Sequence, residues 1–281
     1  MILDDIVAHK RLEIAARKKQ LPQHELEQRL GQIEVPRNFL EALRTRRSAV
    51  SDQQSAINHK QSEIGNRKSK IAIVAECKRS SPSRGVIRDP YDPVAIARSY
   101  EANGAAAISV LTDEKYFGGS LDHLEAVHRA VTMPVLRKEF IFDEYQIFEG
   151  RAAGADAVLL IAAILDRAQL RDLIDVVWAL RMHALVEVHD PKEIERAAES
   201  NTGIIGINNR NLDTLEVDLR HTERLLPLLP PGVLVVSESG IRTRDDLAYL
   251  RGLGVHAVLI GERFMSAADP GKALAELMGE K

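Results

Sequence analysis

The 281-residue chain is 45% hydrophobic and 28% charged, which excludes a disordered or fibrous protein and fits a globular one. Its formal net charge of −3 excludes the broadly basic surface of a nucleic-acid binder, so any anionic ligand must be drawn in by a local site. One cysteine, Cys77, rules out an intrachain disulfide framework and points to a reducing, cytoplasmic home.

The opening MILDDIVAHK is acidic at once and has no apolar signal core. ILDDIVAHKRLEIAARKK reads as an amphipathic helix, HELEQRLGQI as a second and PRNFLEALRTRR as a third, with Asn38 and Glu41 in a capping-box pattern. These make residues 1–45 a helical extension expected to pack on the domain formed by residues 71–281. Residues 46–70, RRSAVSDQQSAINHKQSEIGNRKSK, are polar with few large apolar groups. They are expected to form a solvated, mobile loop.

From residue 71 a rhythm begins. Eight short apolar runs alternate with helical patterns: IAIVAEC (71–77), AAAISVL (105–111), PVLRKEF (134–140), DAVLLIA (156–162), HALVEVH (183–189), GIIGIN (203–208), VLVVSES (233–239) and HAVLIGE (256–262). DPVAIARSYEANG ends a helix at Gly104. DPKEIERAAESNTG opens one with Asp190 as cap, Pro191 in the first turn and Glu193 three on. NGAAAI (103–108), AGADAV (153–158) and LGVHAV (253–258) repeat one plan, a helix closed by glycine and then an apolar strand. Runs apolar on both faces are those of buried parallel strands. An open doubly wound sheet would also use such units. The count of eight and the length of 71–281 favour a (β/α)8 TIM barrel with the N-terminal helices appended. The longest aliphatic run, AVLLIAAIL (157–165), falls short of the ~18 residues of a membrane span.

Active sites of such barrels lie at the carboxyl ends of the strands. Side chains two apart in a strand share a face. By that rule Glu76 and Lys78 look the same way at the end of the first run, with Cys77 turned aside as packing. Lys138 ends the third, Glu187 the fifth, Asn208 the sixth with Asn209 and Arg210 beyond, and Glu238 the seventh. One such group alone would be a rim ion pair; five strand ends converging on one mouth point to a site. Ser239-Gly240 and Gly261-Glu262 follow strands seven and eight, where glycine turns let backbone N–H groups approach a phosphate. The nine histidines show no HExxH or other metal spacing. GLGVHA (252–257) has the letters of a dinucleotide fingerprint but precedes a strand where the fingerprint follows one.

Taken together, AECKRSSPSRG, LTDEKYFGGS, VLRKEFIFDEYQI, VLLIAAIL, LVEVHD, IGINNRNLDTLEVD, SESGI and LIGERFM resemble, in order, the strand-end motifs of the indole-3-glycerol phosphate synthase family. ILDDIVAHKR and PRNFLEAL resemble its N-terminal helices; the 46–70 segment is longer and more polar than that family leads one to expect. The resemblance implies ring closure of 1-(2-carboxyphenylamino)-1-deoxyribulose 5-phosphate to indole-3-glycerol phosphate, with loss of CO2 and water, in tryptophan biosynthesis. It implies no metal and no organic cofactor, and a small phosphorylated substrate as partner of a monomer or homodimer, with no nucleic acid and no membrane.

By motif, Lys138 resembles the general acid and Glu187 a general base. Glu76 and Lys78 match two further essential positions, Lys78 placed to hold the substrate carboxylate or to act as acid in the dehydration. Ser81, Asn208, Arg210 and Glu238 match substrate-binding positions, and Phe117, Phe140, Leu159 and Ile161 the apolar wall for the anthranilate ring. Ser239, Gly240, Gly261 and Glu262 match the phosphate-binding backbone. Two rivals stand beside this reading: another phosphate-binding barrel lyase, such as a Schiff-base aldolase with its lysine on strand six, where this chain has Asn208, and a catalytically silent barrel that binds a phosphorylated ligand as a scaffold.

Overall fold

The computed structural model describes residues 2–31, 33–44, 71–211 and 214–279; the expectation for residues 46–70 lies outside the described residues. Eight parallel strands close a barrel: β1 (Ala72–Cys77), β2 (Ala107–Leu111), β3 (Val135–Lys138), β4 (Ala157–Ile161), β5 (His183–Val188), β6 (Ile204–Asn208), β7 (Leu234–Glu238) and β8 (Ala257–Ile260). Each pairs with the next, and β8 closes on β1 through Ala72 opposite Ala257 and Ala75 opposite Ile260. The strands are shorter than the apolar runs that announce them, because the outer residues of each run turn into loops. A two-residue hairpin, Ser80–Ser81 against Gly85–Val86, stands on the loop after β1.

Helices succeed the strands where the caps foretell them. Asp92 accepts from the Ala95 N–H at 3.0 Å and Asp190 from the Glu193 N–H at 2.8 Å. Thr243 and Asp246 cap each other's backbone reciprocally. In the repeated helix-to-strand turn, Gly104, Gly154 and Gly254 have φ of 82°, 92° and 91°, the left-handed conformation that closes a helix cheaply only with glycine.

The alternation of the strands makes two apolar layers. Ile73, Ala75, Ile108, Val110, Val158 and Val186 face the helices, while Val74, Leu136, Leu159, Leu185, Val236 and Leu259 fill the barrel. At the amino end of the barrel four of the inward positions are small: Ala72, Ala107, Ala157 and Ala257. The room they leave is taken by Phe39 and Leu43 of a helix before the barrel.

That helix is one of three in the extension: α1 (Ile2–Gln20), α2 (Gln23–Leu30) and α3 (Phe39–Arg44). Asn38 caps α3, its Oδ1 2.9 Å from the Glu41 N–H. α3 contacts β1, β2 and β7. α1 lies at the other end of the barrel, where Lys10, without exposed surface, meets Glu13 at 2.9 Å, Asp113 at 3.0 Å and Glu139 at 3.3 Å. Ile14 and Leu26 pack on Tyr145. The extension thus touches the barrel at both ends. No helix among the described residues is long and apolar enough to cross a membrane.

Candidate active site

The inward register delivers one group from nearly every strand to the carboxyl mouth. Glu76, Leu111, Lys138, Ile161, Glu187, Asn208, Glu238 and Gly261 end or follow β1 to β8, and all line one cavity of about 410 Å³. Lys78, Phe117, Phe140, Leu159, Arg210, Ser239, Gly240 and Glu262 line it as well. Of the residues matched to catalytic, substrate or phosphate positions in the sequence, only Ser81 is absent from the wall. The chain reverses there, the Ser81 carbonyl accepting from the Arg84 N–H at 3.2 Å. The Ser81 hydroxyl faces Ser83 at 3.4 Å, and Arg84 takes a place on the wall in its stead.

Lys138 is the hub. Its Nζ donates to Glu187 Oε2 at 3.0 Å and stands 3.6 Å from Glu238 Oε2. Asn208 Nδ2 donates to Glu187 Oε1 at 3.2 Å, fixing that carboxylate from the next strand. Across the barrel Lys78 Nζ lies 2.8 Å from Glu76 Oε1. Two glycines make room for two carboxylates: a Cβ at Gly206 would lie 2.3 Å from Glu238 Oε1, and one at Gly261 2.3 Å from Glu76 Oε1.

Burial disfavours charge on every member, and the neighbours decide who keeps it. For Lys138, burial is outweighed by Glu187, Glu238 and Glu76, so its ammonium holds its proton above the usual lysine range. Burial alone would raise Glu187, but Lys138, His189 and the Asn208 hydrogen bond bring it down to about 2. Glu238 goes the other way. Burial first, then the repulsion of Glu187 and Glu76, overcome Lys138 and push it up to about 8. Near neutral pH the hub therefore holds an ammonium, a carboxylate and a carboxylic acid. Glu238 Oε1 is buried without a hydrogen-bond partner among the described residues, a polar position open to a ligand.

One flank of the cavity is apolar: the rings of Phe117 and Phe140 lie 6.0 Å apart at 38°, beside Leu159 and Ile161. The other is backbone. Ser239 and Gly240 take φ of 68° and 84°, and a Cβ on Gly240 would meet Val217 at 2.6 Å. Above it Glu262 joins two loops, its carboxylate 2.6 Å from Arg84 and 3.5 Å from Arg210. Cys77 faces away from the cavity, its Sγ 4.0 Å from the Pro93 carbonyl, and burial pushes its thiol up. Sequence reasoning missed Arg84, Arg242 and Leu3 on the wall. Arg84 sits inside AECKRSSPSRG and was within reach of the motif; Leu3, brought in by α1, carried no signal.

A closed (β/α)8 barrel whose mouth sets an ammonium, a carboxylate and a protonated acid beside an apolar slot is a TIM-barrel enzyme built for proton transfer. The family model for indole-3-glycerol phosphate synthase matches residues 47–277, and the chain belongs to that family. It is 48% identical over 280 residues to the indole-3-glycerol phosphate synthase of Variovorax paradoxus (strain S110), covering 98% of each chain. It is 48% identical over 276 residues to that of Albidiferax ferrireducens, covering 98% of this chain and 97% of the relative. Among solved structures it is similar to mandelate oxidase (TM-score 0.54, 17% identity, 68% of this chain and 66% of that one). Thiamine phosphate pyrophosphorylase from Pyrococcus furiosus is similar too (TM-score 0.55, 15% identity, 76% and 96%). At such identities these two speak for the barrel alone. The activity is the family's, that of a carboxy-lyase of tryptophan biosynthesis: it closes 1-(2-carboxyphenylamino)-1-deoxyribulose 5-phosphate to indole-3-glycerol phosphate with release of CO2 and water.

Proposed function

We propose that Lys138 is the general acid and Glu187 the general base of this reaction. The aromatic carbon bearing the carboxylate attacks the ketone carbon as Lys138 gives its proton to the ketone oxygen. CO2 leaves, and the electron pair it releases restores the aromatic ring. The resulting hydroxyl departs as water with a second proton, and Glu187 takes a proton from the neighbouring carbon to complete the indole. Lys78, held by Glu76, faces the substrate carboxylate or supplies the second proton. Glu238, kept protonated near neutral pH, donates a hydrogen bond through the acid that Lys138 does not neutralise.

The rest of the wall positions the substrate. Phe117, Phe140, Leu159 and Ile161 hold the anthranilate ring, while Asn208 and Arg210 meet the carboxylate and hydroxyls. Ser239, Gly240, Gly261 and Glu262 offer backbone N–H groups to the phosphate; the Glu262 carboxylate, bound to Arg84 and Arg210, would repel it. Ser81 supports the loop after β1 from outside the wall. A reducing, cytoplasmic setting accords with a single, buried cysteine, and the protein works as a monomer or homodimer.

The observation that carries this reading is the Lys138–Glu187 contact at 3.0 Å inside the cavity, an acid and a base within hydrogen-bond reach of one substrate. Positioned acid–base transfer is worth about 10²–10⁴ in rate. Lys138→Ala should therefore lower kcat at least ~10² with the fold intact, read from the rise of indole fluorescence on adding the anilino-ribulose phosphate. A near-normal kcat would remove Lys138 from the acid role.

A further inference from the structure

His189 stands just past β5, two residues beyond Glu187, so the strand's alternation aims both at the same end of the barrel. Its ring is 14% exposed, with Nε2 3.5 Å from Glu187 Oε1 and Nδ1 3.4 Å from Glu193 Oε2. Neither ring nitrogen makes a hydrogen bond among the described residues. Its backbone, by contrast, is fixed: the N–H donates to Glu193 Oε2 at 2.6 Å and the carbonyl meets His221 Nε2 at 2.8 Å. A largely buried imidazole with both nitrogens unpaired is costly to leave idle. Here it is held in place by its main chain, between two carboxylates.

Two cavities meet at this ring. Glu187 lines the active cavity, while His189 and Glu193 line a second one of about 790 Å³ beneath the first turns of α1. Charged groups reach the imidazole from each side. Burial opposes its protonation, but Glu193 on the following helix, Glu187 on β5 and Glu238 on β7 raise its affinity for a proton above the ordinary histidine range. Across the second cavity stand Arg11 of α1 and the Asp218–Arg224 pair, closed at 2.9 Å.

The reaction leaves the acid–base groups of the active cavity one proton short after each turnover. With the substrate carboxylate ionised, two protons go to the departing oxygen and one comes back from carbon. Each turnover therefore consumes one proton from solvent, at a moment when the substrate fills the mouth and excludes water.

We infer that His189 is a proton-relay residue that recharges the acid–base pair from the second cavity. The imidazolium gives its Nε2 proton to Glu187, whose carboxyl turns and passes that proton to the Lys138 amine; the neutral imidazole, left with Nδ1–H, then turns its bare Nε2 to the second cavity and takes a replacement proton there from water or a buffer acid. The relay rests on the assignment of Lys138 and Glu187 above. His189 acts through Glu187 and touches no reacting atom.

Glutamine at this position keeps an amide that can hold Glu187 but moves no proton at ordinary pH. His189→Gln should lower kcat about tenfold with KM changed less than about twofold, the loss narrowing once pH rises past the point where the wild-type imidazolium gives up its proton. His189→Ala should show the same loss and recover with added imidazole, which enters by the second cavity. Glu193→Gln, which removes a negative charge from outside the active cavity, should move the basic limb of kcat to lower pH. That variant serves if the alanine protein fails to fold. A wild-type kcat and pH profile in His189→Gln, or no recovery with imidazole in a folded His189→Ala, would overturn the relay. Glu187→Gln separates the two layers: if it keeps kcat, the acid–base assignment falls, and if it loses kcat while His189→Gln does not, the relay alone falls.

Discussion

Lys138 and Glu139 are consecutive, yet they belong to two ionic clusters with different fates. Lys138 turns into the cavity with Glu187 and Glu238. Glu139 turns to the extension, accepting from Thr112 Oγ1 at 2.8 Å and from the Phe140 N–H at 2.9 Å, with Lys10 3.3 Å away. In the second cluster every carboxylate has a cation close by: Lys10 lies 2.9 Å from Glu13, 3.0 Å from Asp113 and 3.3 Å from Glu139, and Arg137 bonds Thr112 at 3.1 Å and Glu149 at 2.9 Å. In the first, Glu238 keeps an unpartnered oxygen and a proton near neutral pH. The kinds of residue are the same. A closed set of partners makes a fastening, and an incomplete set beside a hollow makes a site.

The sharpest way to break that contrast is to open the closed cluster. Lys10→Met leaves Asp113 and Glu139 buried without their cation. It should cost about 3–5 kcal/mol of stability, read as a fall in Cm in urea. A variant as stable as wild type would show that the cluster fastens nothing. Next comes a change that crowds the open cluster without removing a charge. Gly206→Ala drives a Cβ to 2.3 Å from Glu238 Oε1. The carboxylate must swing aside, and a displacement of about 1 Å in a catalytic constellation is worth up to ~10² in kcat/KM. Because only the end of a side chain has to move, the melting temperature should change little; unchanged kinetics would mean that the place of Glu238 is not critical.

The most gradual effect, spread over several pH units, sharpens the proton on Glu238. A carboxyl whose affinity is raised on folding keeps its proton where the unfolded chain has lost it. It therefore takes stability away as pH rises from the ordinary glutamate value of about 4.3 toward about 8, and no more above that. Glu238→Gln removes this drain. The stability of wild type relative to the variant should fall by at most about 1.4 kcal/mol per pH unit across that window and then level off. Parallel pH profiles would place the proton elsewhere.

Much of this was legible in the chain. The strand period alone put Glu76 and Lys78 on one face and Cys77 on the other, and the same rule carried Lys138, Glu187, Asn208 and Glu238 to a common mouth, because a parallel barrel turns a two-residue period into a fixed inward face. The cap at Asp190 was equally readable, since its bond is local. What could not be read depends on distance. Nothing in HKRLEIA says that Lys10 will lose all its water among Asp113 and Glu139, more than a hundred residues on. Nor does SESG say that Glu238 will hold a proton, because that depends on Glu187 and Glu76 on other strands. Ser81 shows what a motif leaves open: it fixed the neighbourhood but not the direction, which the turn at Arg84 decides.

The stopper at the amino end of the barrel also has a bearing on how the chain is made. Phe39 and Leu43 leave the ribosome before any strand exists, yet their seat is walled by Ala72 of the first strand, Leu234 of the seventh and Ala257 of the eighth. This early hydrophobic pair is thus fully enclosed only by nearly the last segment to be synthesised. Until then α3 has only part of its cradle, and the seam between first and last strands closes around a residue that has been waiting for both.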